Sequence, residues 1–363
     1  MPVLPLSAVF LLSAPLWAAD YNINKGDGAV DFGTLTGSYS FPDNIYINGP
    51  SSGALGEGDY VEISDNLAMN GRTLHLRTGA VARGVGGYAV GSGGINVYNG
   101  TDPAQGTTSL ILGGEDSSKR LSLSLTAESN VGKDGASGSS LLEFAGYTTV
   151  TTGTNIRLDV GNTHNVSSKS AGNATLRVSG TDNNLTIYSL NVGDQEGGAI
   201  SGASMLEIVG STHSIRAVAA FRLTGGSGTS ADNIIGGVVS FVADADGVSA
   251  INVGSVTQSL TGVMLLDLTD FAVAPGSYDL LLISYDSSLK DTYASWASKQ
   301  DSLFRATGAN GDVTLQARDD GLYAVYAAIP EPGACAALLG ALSLALAAYR
   351  RRGQPFAFAK NNI

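Results

Sequence analysis

The sequence is almost without cysteine and is poor in histidine. Its 363 residues include one cysteine, Cys335, so no disulfide can form within the chain, and three widely separated histidines, His75, His164 and His213. No Cys/His cluster or H-x-x-x-H spacing occurs, so we expect no metal site and no histidine-based catalytic triad. For His164 and His213 we predict solvated turn positions.

Charged residues are few and unevenly placed. They make up 14% of the chain against 43% apolar residues, which is not the composition of a disordered protein. The formal net charge is −12, and all 32 acidic residues lie between Asp20 and Glu331, whereas four of the 20 basic residues follow Tyr349. Because the body of the chain is therefore strongly acidic and repels nucleic acid, we expect no nucleic-acid partner.

No motif of the sequence stands in the context that its chemistry requires. Residues 49–53 read GPSSG and match the G-x-S-x-G pattern of serine hydrolases, but glycines and strand-forming residues follow where that pattern needs a helix. Residues 244–247 read DADG, like the start of a calcium loop, but the rest of that pattern is missing, so we expect an Asp/Gly turn. We therefore predict a protein that is not an enzyme and carries no cofactor.

Glycine is in excess, and short apolar runs recur between polar turns. The 48 glycines are about twice the average frequency. This glycine excess, together with the short apolar runs between polar turns, predicts an all-β protein. A pattern Leu-x-apolar-x-Gly repeats every 30 to 34 residues and ends in a degenerate copy. Its copies start at Leu110, Leu142, Leu176, Leu206 and Val239.

A unit this short cannot bury its apolar face alone, so neighbouring units must stack. We predict a right-handed parallel β-helix, a solenoid of about five coils over residues 107–260, with an antiparallel β-sandwich as the alternative. Parallel stacking would align Glu143, Arg177 and Glu207 on the outer face with alternating sign, which stabilises by about 0.2–1 kcal/mol per pair.

The segments on either side of the repeats lack the repeating pattern and differ from it in their apolar runs and turns. Residues 20–106 hold short strands among glycine loops, which we interpret as an irregular β region or N-terminal cap. Residues 261–328 hold longer apolar runs, a hairpin turn at 319–321 and a helical stretch with Ser287 or Ser288 as its N-cap. We interpret them as a C-terminal β cap that ends the solenoid.

Both ends of the chain carry segments outside this fold. Residues 1–19 are mostly apolar and end in two alanines, which is typical of a secretory signal peptide. Residues 329–363 contain Pro330-Glu331-Pro332, an uncharged apolar stretch at 333–349, and Arg350-Arg351-Arg352. As a helix, residues 333–349 would span roughly 25 Å, just short of the hydrocarbon core of a bilayer at about 30 Å. We predict one transmembrane helix, with the arginines on the cytoplasmic side.

This order of segments resembles the PEP-CTERM sorting signal of Gram-negative bacteria. The resemblance implies that an exosortase, a membrane transpeptidase, recognises the tail and cuts it near Pro330-Glu331-Pro332. It also implies an exported protein, held in the inner membrane before processing and then found in the cell envelope, on the cell surface or in the extracellular matrix. The strand-rich end of the body is similar to that of autotransporter-like surface proteins with the same signal.

Two functions remain open from the sequence. The first is a structural or adhesive surface protein whose hydroxyl-rich faces contact polysaccharide or copies of itself. The second is a β-helix polysaccharide lyase or glycosidase; a glycosidase needs two carboxylates about 5–10 Å apart in a cleft. Asp159 is a candidate carboxylate if acidic residues on adjacent coils approach it. The body has a single tryptophan, Trp296, which weakens the case for an aromatic sugar platform.

Overall fold

The structure is a computed structural model. It describes short strands between residues 21 and 98, then residues 107–133, 138–161, 170–171, 173–193, 199–200, 202–254, 257–329 and 332–352.

The strands before the last quarter of the chain are β1 (Tyr21–Ile23), β2 (Val30–Asp31), β3 (Asn44–Ile47), β4 (Val61–Ser64), β5 (Arg72–Leu76), β6 (Val81–Val85), β7 (Val90–Tyr98), β8 (Thr107–Gly113), β9 (Leu121–Leu125), β10 (Ser129–Lys133), β11 (Ser139–Phe144), β12 (Thr148–Thr152), β13 (Arg157–Val160), β14 (Ser170–Ala171), β15 (Asn173–Val178), β16 (Asn184–Val192), β17 (Ala199–Ile200), β18 (Ala203–Val209), β19 (Ser214–Leu223), β20 (Gly236–Val242), β21 (Ile251–Val253), β22 (Thr257–Leu260) and β23 (Val263–Asp267). The C-terminal elements are β24 (Gly276–Ser284), a 3₁₀ turn (Ser287–Leu289), α1 (Lys290–Ala297), α2 (Gln300–Leu303), β25 (Phe304–Thr307), β26 (Gly311–Ala317), β27 (Gly321–Ala328) and α3 (Pro332–Arg352).

Two long sheets are built from strands on successive turns of the chain. One has 10 strands in the order β2-β4-β6-β8-β11-β15-β18-β20-β23-β25, and the other has 15 strands whose main path runs from β1 to β26. Pairing between neighbouring turns is parallel, for example β8 with β11 and β11 with β15. The predicted parallel solenoid is confirmed, and the alternative of an antiparallel sandwich is wrong.

The five repeats stack in the register that their pattern predicts. Leu142 pairs with Leu110 and with Leu176, and Leu206 pairs with Leu176 and with Val239. All five side chains are fully buried. Because side chains alternate along a strand, a second buried column runs beside the first. It consists of Leu112, Phe144, Val178, Ile208 and Phe241.

A Val-Gly pair recurs at or near the end of three neighbouring strands of the 15-stranded sheet, namely β10, β13 and β16. Gly132, Gly161 and Gly193 have φ values of 84°, 72° and 74°. Residues with a Cβ rarely adopt this left-handed conformation, so the repeat retains glycine there. A Cβ on Gly193 would also lie 2.3 Å from the backbone nitrogen of Gly237.

Parallel pairing extends to the N-terminal side of the predicted repeats. β3 pairs with β5, β5 with β7, and β6 with β8. Leu74 pairs with Ile95, and both are fully buried. The described strands of residues 20–106, which we expected to form an irregular region, therefore belong to the same two sheets.

The C-terminal end of the solenoid changes to antiparallel pairing. β24 is parallel to β21 but antiparallel to β27, which in turn is antiparallel to β26. Buried Trp296 of α1 donates from its indole nitrogen to the Gly262 carbonyl at 3.3 Å, and Tyr293 stacks on Tyr285 with ring centroids 4.4 Å apart. The N-cap of the 3₁₀ turn is Asp286, whose carboxylate accepts from the Ser288 amide at 3.0 Å, and α1 follows Leu289 without a side-chain cap, so neither predicted serine is an N-cap.

Replacing Leu176 with alanine should lower the free energy of unfolding by about 2–5 kcal/mol, because its fully buried side chain would leave a cavity. The control is Thr175→Ala, a partly exposed position on the same strand, with an expected cost of about 0.5 kcal/mol or less. Urea-induced unfolding followed by circular dichroism measures both. Equal costs would show that β15 does not face the core in this register.

Candidate functional site

The outer face of the 15-stranded sheet carries two columns of polar side chains. One column aligns Ser124, Thr151, Thr186, Arg216, Asn252 and Ser284 on successive turns. The second column aligns Ser122, Thr149, Asn184 and Ser214. We call these residues the polar stripe. All are partly or fully exposed, and adjacent strands are about 4.8 Å apart, so the stripe is a regular, shallow array without a carboxylate.

Arg216 gives the polar stripe a positive charge on an acidic body. Its side chain is exposed and makes no ion pair with any residue that the structure describes. Arg120 lies beside the stripe, where its Nε donates to Thr149 Oγ1 at 3.1 Å and its Nη1 is 2.6 Å from Asp182 Oδ2. The stripe can therefore donate and accept hydrogen bonds along its length, and its exposed cation is available to a ligand.

A buried ladder of side chains supports the corner next to the polar stripe. The Thr148 amide donates to Asn183 Oδ1 at 3.2 Å, the Asn183 amide donates to His213 Nδ1 at 3.4 Å, and the His213 amide donates to Ser249 Oγ at 2.8 Å. In each case a side chain on the next turn satisfies a backbone N–H that strand pairing leaves free. The ladder therefore fixes the relative position of four turns.

His213 is a buried ladder residue, so the prediction of a solvated turn position is wrong. It is 8% exposed, and its Nε2 lies 2.8 Å from the Val209 carbonyl. Nε2 therefore carries the proton, and Nδ1 is free to accept from Asn183. Burial lowers the pKa of His213 below 6.5, although the Val209 carbonyl and the Asp244 and Asp182 carboxylates act in the opposite direction.

The DADG segment at 244–247 is a turn, as predicted. Asp244 Oδ1 accepts from the amides of Asp246 and Gly247 at 2.9 and 3.0 Å, and its Oδ2 accepts from the amide and hydroxyl of Ser211, each at 2.8 Å. Burial raises the pKa of Asp244, but these hydrogen bonds outweigh it and hold the pKa below its usual value. Both carboxylate oxygens are therefore engaged in joining two turns.

The predicted charge ladder on the 10-stranded sheet is confirmed in register. Glu143 pairs with Arg177, and Arg177 pairs with Glu207. The Arg177 guanidinium forms its ion pair with Glu207, while Glu143 accepts from the Ser179 hydroxyl at 2.6 Å. The charges alternate as expected, but a direct ion pair forms on one side only.

The register partners of Asp159 on the adjacent turns are amides and not carboxylates, although Arg157 lies between Asp159 and Glu128, with its Nη2 3.0 Å from Glu128 Oε1. The register partners are Asn130 and Asn191, and Asn191 Nδ2 donates to Asp159 Oδ1 at 2.6 Å. Arg157 Nε lies 3.9 Å from the other carboxylate oxygen, and Asp159 is 1% exposed. A glycosidase needs a second carboxylate across a cleft, and the positions aligned with Asp159 hold amides instead.

Two open grooves lie near the C-terminal end of the solenoid. One of about 500 Å³ includes Asp301 and Asp312, both exposed, in its lining. The other, of about 610 Å³, is lined partly by Asn252, Ser284 and Tyr285, so it continues the polar stripe. Burial and the charges of Asp320 and Asp319 raise the pKa of Tyr285 to about 12, so its hydroxyl, 3.1 Å from the Arg318 carbonyl, remains a donor.

Some candidates from the sequence lie outside the described residues, namely 49–53, His164, Pro330 and Glu331. Pro332 is the first residue of α3, and Arg350, Arg351 and Arg352 are its last three. The described side chains of α3, residues 339–349, are all exposed.

Among the residues that the structure describes, no three His, Cys, Asp or Glu side chains are grouped as a metal ion requires. No helix among these residues has both the length and the apolar character of a membrane span.

Comparison with known proteins gives no relative for this chain. No family model, no curated protein and no solved structure matches it.

The free energy of unfolding should fall as the pH decreases below about 6.5, with His213 as one cause. The pKa of His213 is lower in the folded than in the unfolded state, so below about pH 6.5 the unfolded state binds more protons. The stability that neutral His213 contributes is therefore complete above this pH and is lost as the pH falls through the folded-state pKa. His213→Gln should flatten this part of the profile, measured by urea unfolding at several pH values. The control His164→Gln should leave it unchanged; an unchanged profile for His213→Gln would contradict the assignment.

Proposed function

We propose that the chain is an exported structural or adhesive protein of the cell envelope, held in the inner membrane by α3 until an exosortase processes its tail. Cleavage near Pro330-Glu331-Pro332 then transfers the solenoid body to the cell surface or extracellular matrix. There the polar stripe contacts polysaccharide or further copies of the chain.

The observation that carries the proposal is the exposure of α3. Its leucines at 339, 342, 344 and 346 are between 57% and 74% exposed. Moving one leucine side chain from water to an apolar environment is favourable by about 1.5–3 kcal/mol, so the four together favour a lipid environment. The apolar part of α3, residues 333–349, corresponds to about 25 Å of helix, somewhat shorter than a hydrocarbon core of about 30 Å.

The polar stripe supports a contact role for the body. It is long, regular and rich in hydroxyl and amide groups, which suits repeated weak hydrogen bonds to an extended polymer. Its shallow shape does not enclose a small substrate.

A carbohydrate-active enzyme is the second candidate, favoured by the groove that holds Asp301 and Asp312. Both carboxylates are exposed in an open groove, whereas a glycosidase raises the pKa of its general acid in a protected site. This groove therefore supports the enzyme less strongly than the polar stripe supports a contact protein.

Replacing Arg350, Arg351 and Arg352 together with glutamate should block correct insertion and processing, because the arginines would no longer hold the tail end in the cytoplasm. Cell fractionation with intact-mass analysis should find the parent protein without its tail in the envelope fraction, and most of the variant at full length. Lys360→Glu, a charge change beyond the cluster, is the matched control and should be processed normally. Parent protein recovered from the cytoplasm with both termini intact would refute the proposal.

A further inference from the structure

The connection between the body and α3 is short. β27 ends at Ala328, and Ile329 is held by Asn310: the Ile329 amide donates to the Asn310 carbonyl at 2.9 Å, and Asn310 Nδ2 donates to the Ile329 carbonyl at 3.2 Å. The Tyr326 hydroxyl accepts from the Asn310 amide at 3.0 Å and fixes the same residue. α3 begins at Pro332, so two residues separate a fixed point of the body from the helix.

This short connection limits the distance between the body and a membrane. Residues 330 and 331 reach at most about 10 Å from Ile329 to Pro332, whatever path they take. The polar layer on each side of a bilayer is about 5–8 Å thick. If the apolar residues 333–349 occupy the hydrocarbon core, Ile329 and its surroundings therefore lie in or against the headgroup layer.

The two loops beside Ile329 contain no charged residue. Ala328 pairs with Gly276 at the start of β24 and with Gly311 at the start of β26, so both preceding loops lie beside the point where the tail leaves. These loops read AVAPG at 272–276 and GANG at 308–311. We call the two loops and Ile329 the exit lip. Ala272, Ala274 and Pro275 are exposed, and Ile329 is 56% exposed.

Three aromatic rings lie at the base of the exit lip. The ring centroid of Phe271 is 5.9 Å from that of Tyr278 and 6.3 Å from that of Tyr326. The Tyr278 hydroxyl donates to the Ala274 carbonyl at 2.8 Å and ties the first loop to this cluster. Tyrosine combines an apolar ring with a polar tip, which suits the boundary between lipid and water.

We propose that the exit lip is a lipid-contact surface, through which the solenoid body rests on the headgroup layer of the bilayer that holds α3. This inference rests on the proposed membrane attachment of α3. Asp270, Asp279 and Asp312 border the lip in the sequence, and Asp279 is neutralised by Arg318 at 2.5 Å. Uncharged and zwitterionic headgroups therefore suit the lip better than strongly anionic ones.

The test uses the full chain in phosphatidylcholine vesicles, with Cys335→Ala as background and one fluorescent label per protein. Labels are placed at Ala274→Cys and Ala309→Cys in the lip, at Leu344→Cys in α3, and at Thr186→Cys in the polar stripe. Quenchers attached to lipid headgroups should quench both lip labels. Quenchers at the bilayer centre should affect the Leu344 label alone, and the Thr186 label should respond to neither.

The possible failures are distinguishable. If the Leu344 label is quenched but the lip labels behave like the Thr186 label, the lip does not contact lipid, whereas the membrane attachment stands. If the Leu344 label is not quenched, the attachment itself fails. Lip labels that are shielded from an aqueous quencher but not reached by lipid quenchers would indicate a protein neighbour and would overturn the proposal.

A charged variant gives a second, independent readout. Ala274→Asp should reduce headgroup quenching of the Ala309 label several-fold, because a carboxylate in the lip would have to be desolvated against the bilayer. The matched control is Ala245→Asp, an exposed alanine in the turn at 244–247 on another part of the body, which should leave quenching unchanged. Equal quenching in both variants would contradict lipid contact by the lip.

Discussion

The structure depends on one constraint: no turn of this chain can bury its apolar residues without a neighbouring turn in register. The paired leucines of β8, β11, β15 and β18 satisfy that constraint, and a shift of one residue would move every one of them to the solvent face. The same register produces the other features. It aligns Glu143, Arg177 and Glu207. It also places the side chains of Asn183, His213 and Ser249 where each accepts from a backbone amide of a neighbouring turn, and it arranges the polar stripe.

The register could be predicted from the sequence because it repeats. Leu-x-apolar-x-Gly recurs at nearly constant spacing, so the two core columns and the charge ladder between them follow from the pattern alone. The start of the solenoid could not be predicted as well, since strands such as β3 and β5 lack this signature and are recognisable only by their pairing. The buried position of His213 could not be predicted for a related reason: its partners Asn183 and Ser249 are about a full turn away in sequence, and nothing local marks it as buried.

The functional surfaces follow from the same architecture in different ways. The polar stripe is periodic, so its hydroxyl-rich character was visible in the sequence, although its alignment was not. The exit lip is not periodic. It exists because antiparallel pairing of β24, β26 and β27 brings two loops that are far apart in sequence beside Ile329. The proposed function joins the two surfaces: the lip lies at the membrane end while the tail is attached, and the stripe runs along the body that processing would release.

The most direct test of the central claim measures register itself. In a Cys335→Ala background, Thr175→Cys and Met205→Cys occupy paired outer positions on β15 and β18. Strands about 4.8 Å apart bring such a pair within the Cα separation of about 4.4–6.8 Å that a disulfide requires. In-register parallel stacking predicts rapid oxidation of this pair in the folded protein and slow oxidation of Thr175→Cys with Glu207→Cys, two residues out of register. The reverse preference, or no preference, would contradict the stacking on which the whole account depends.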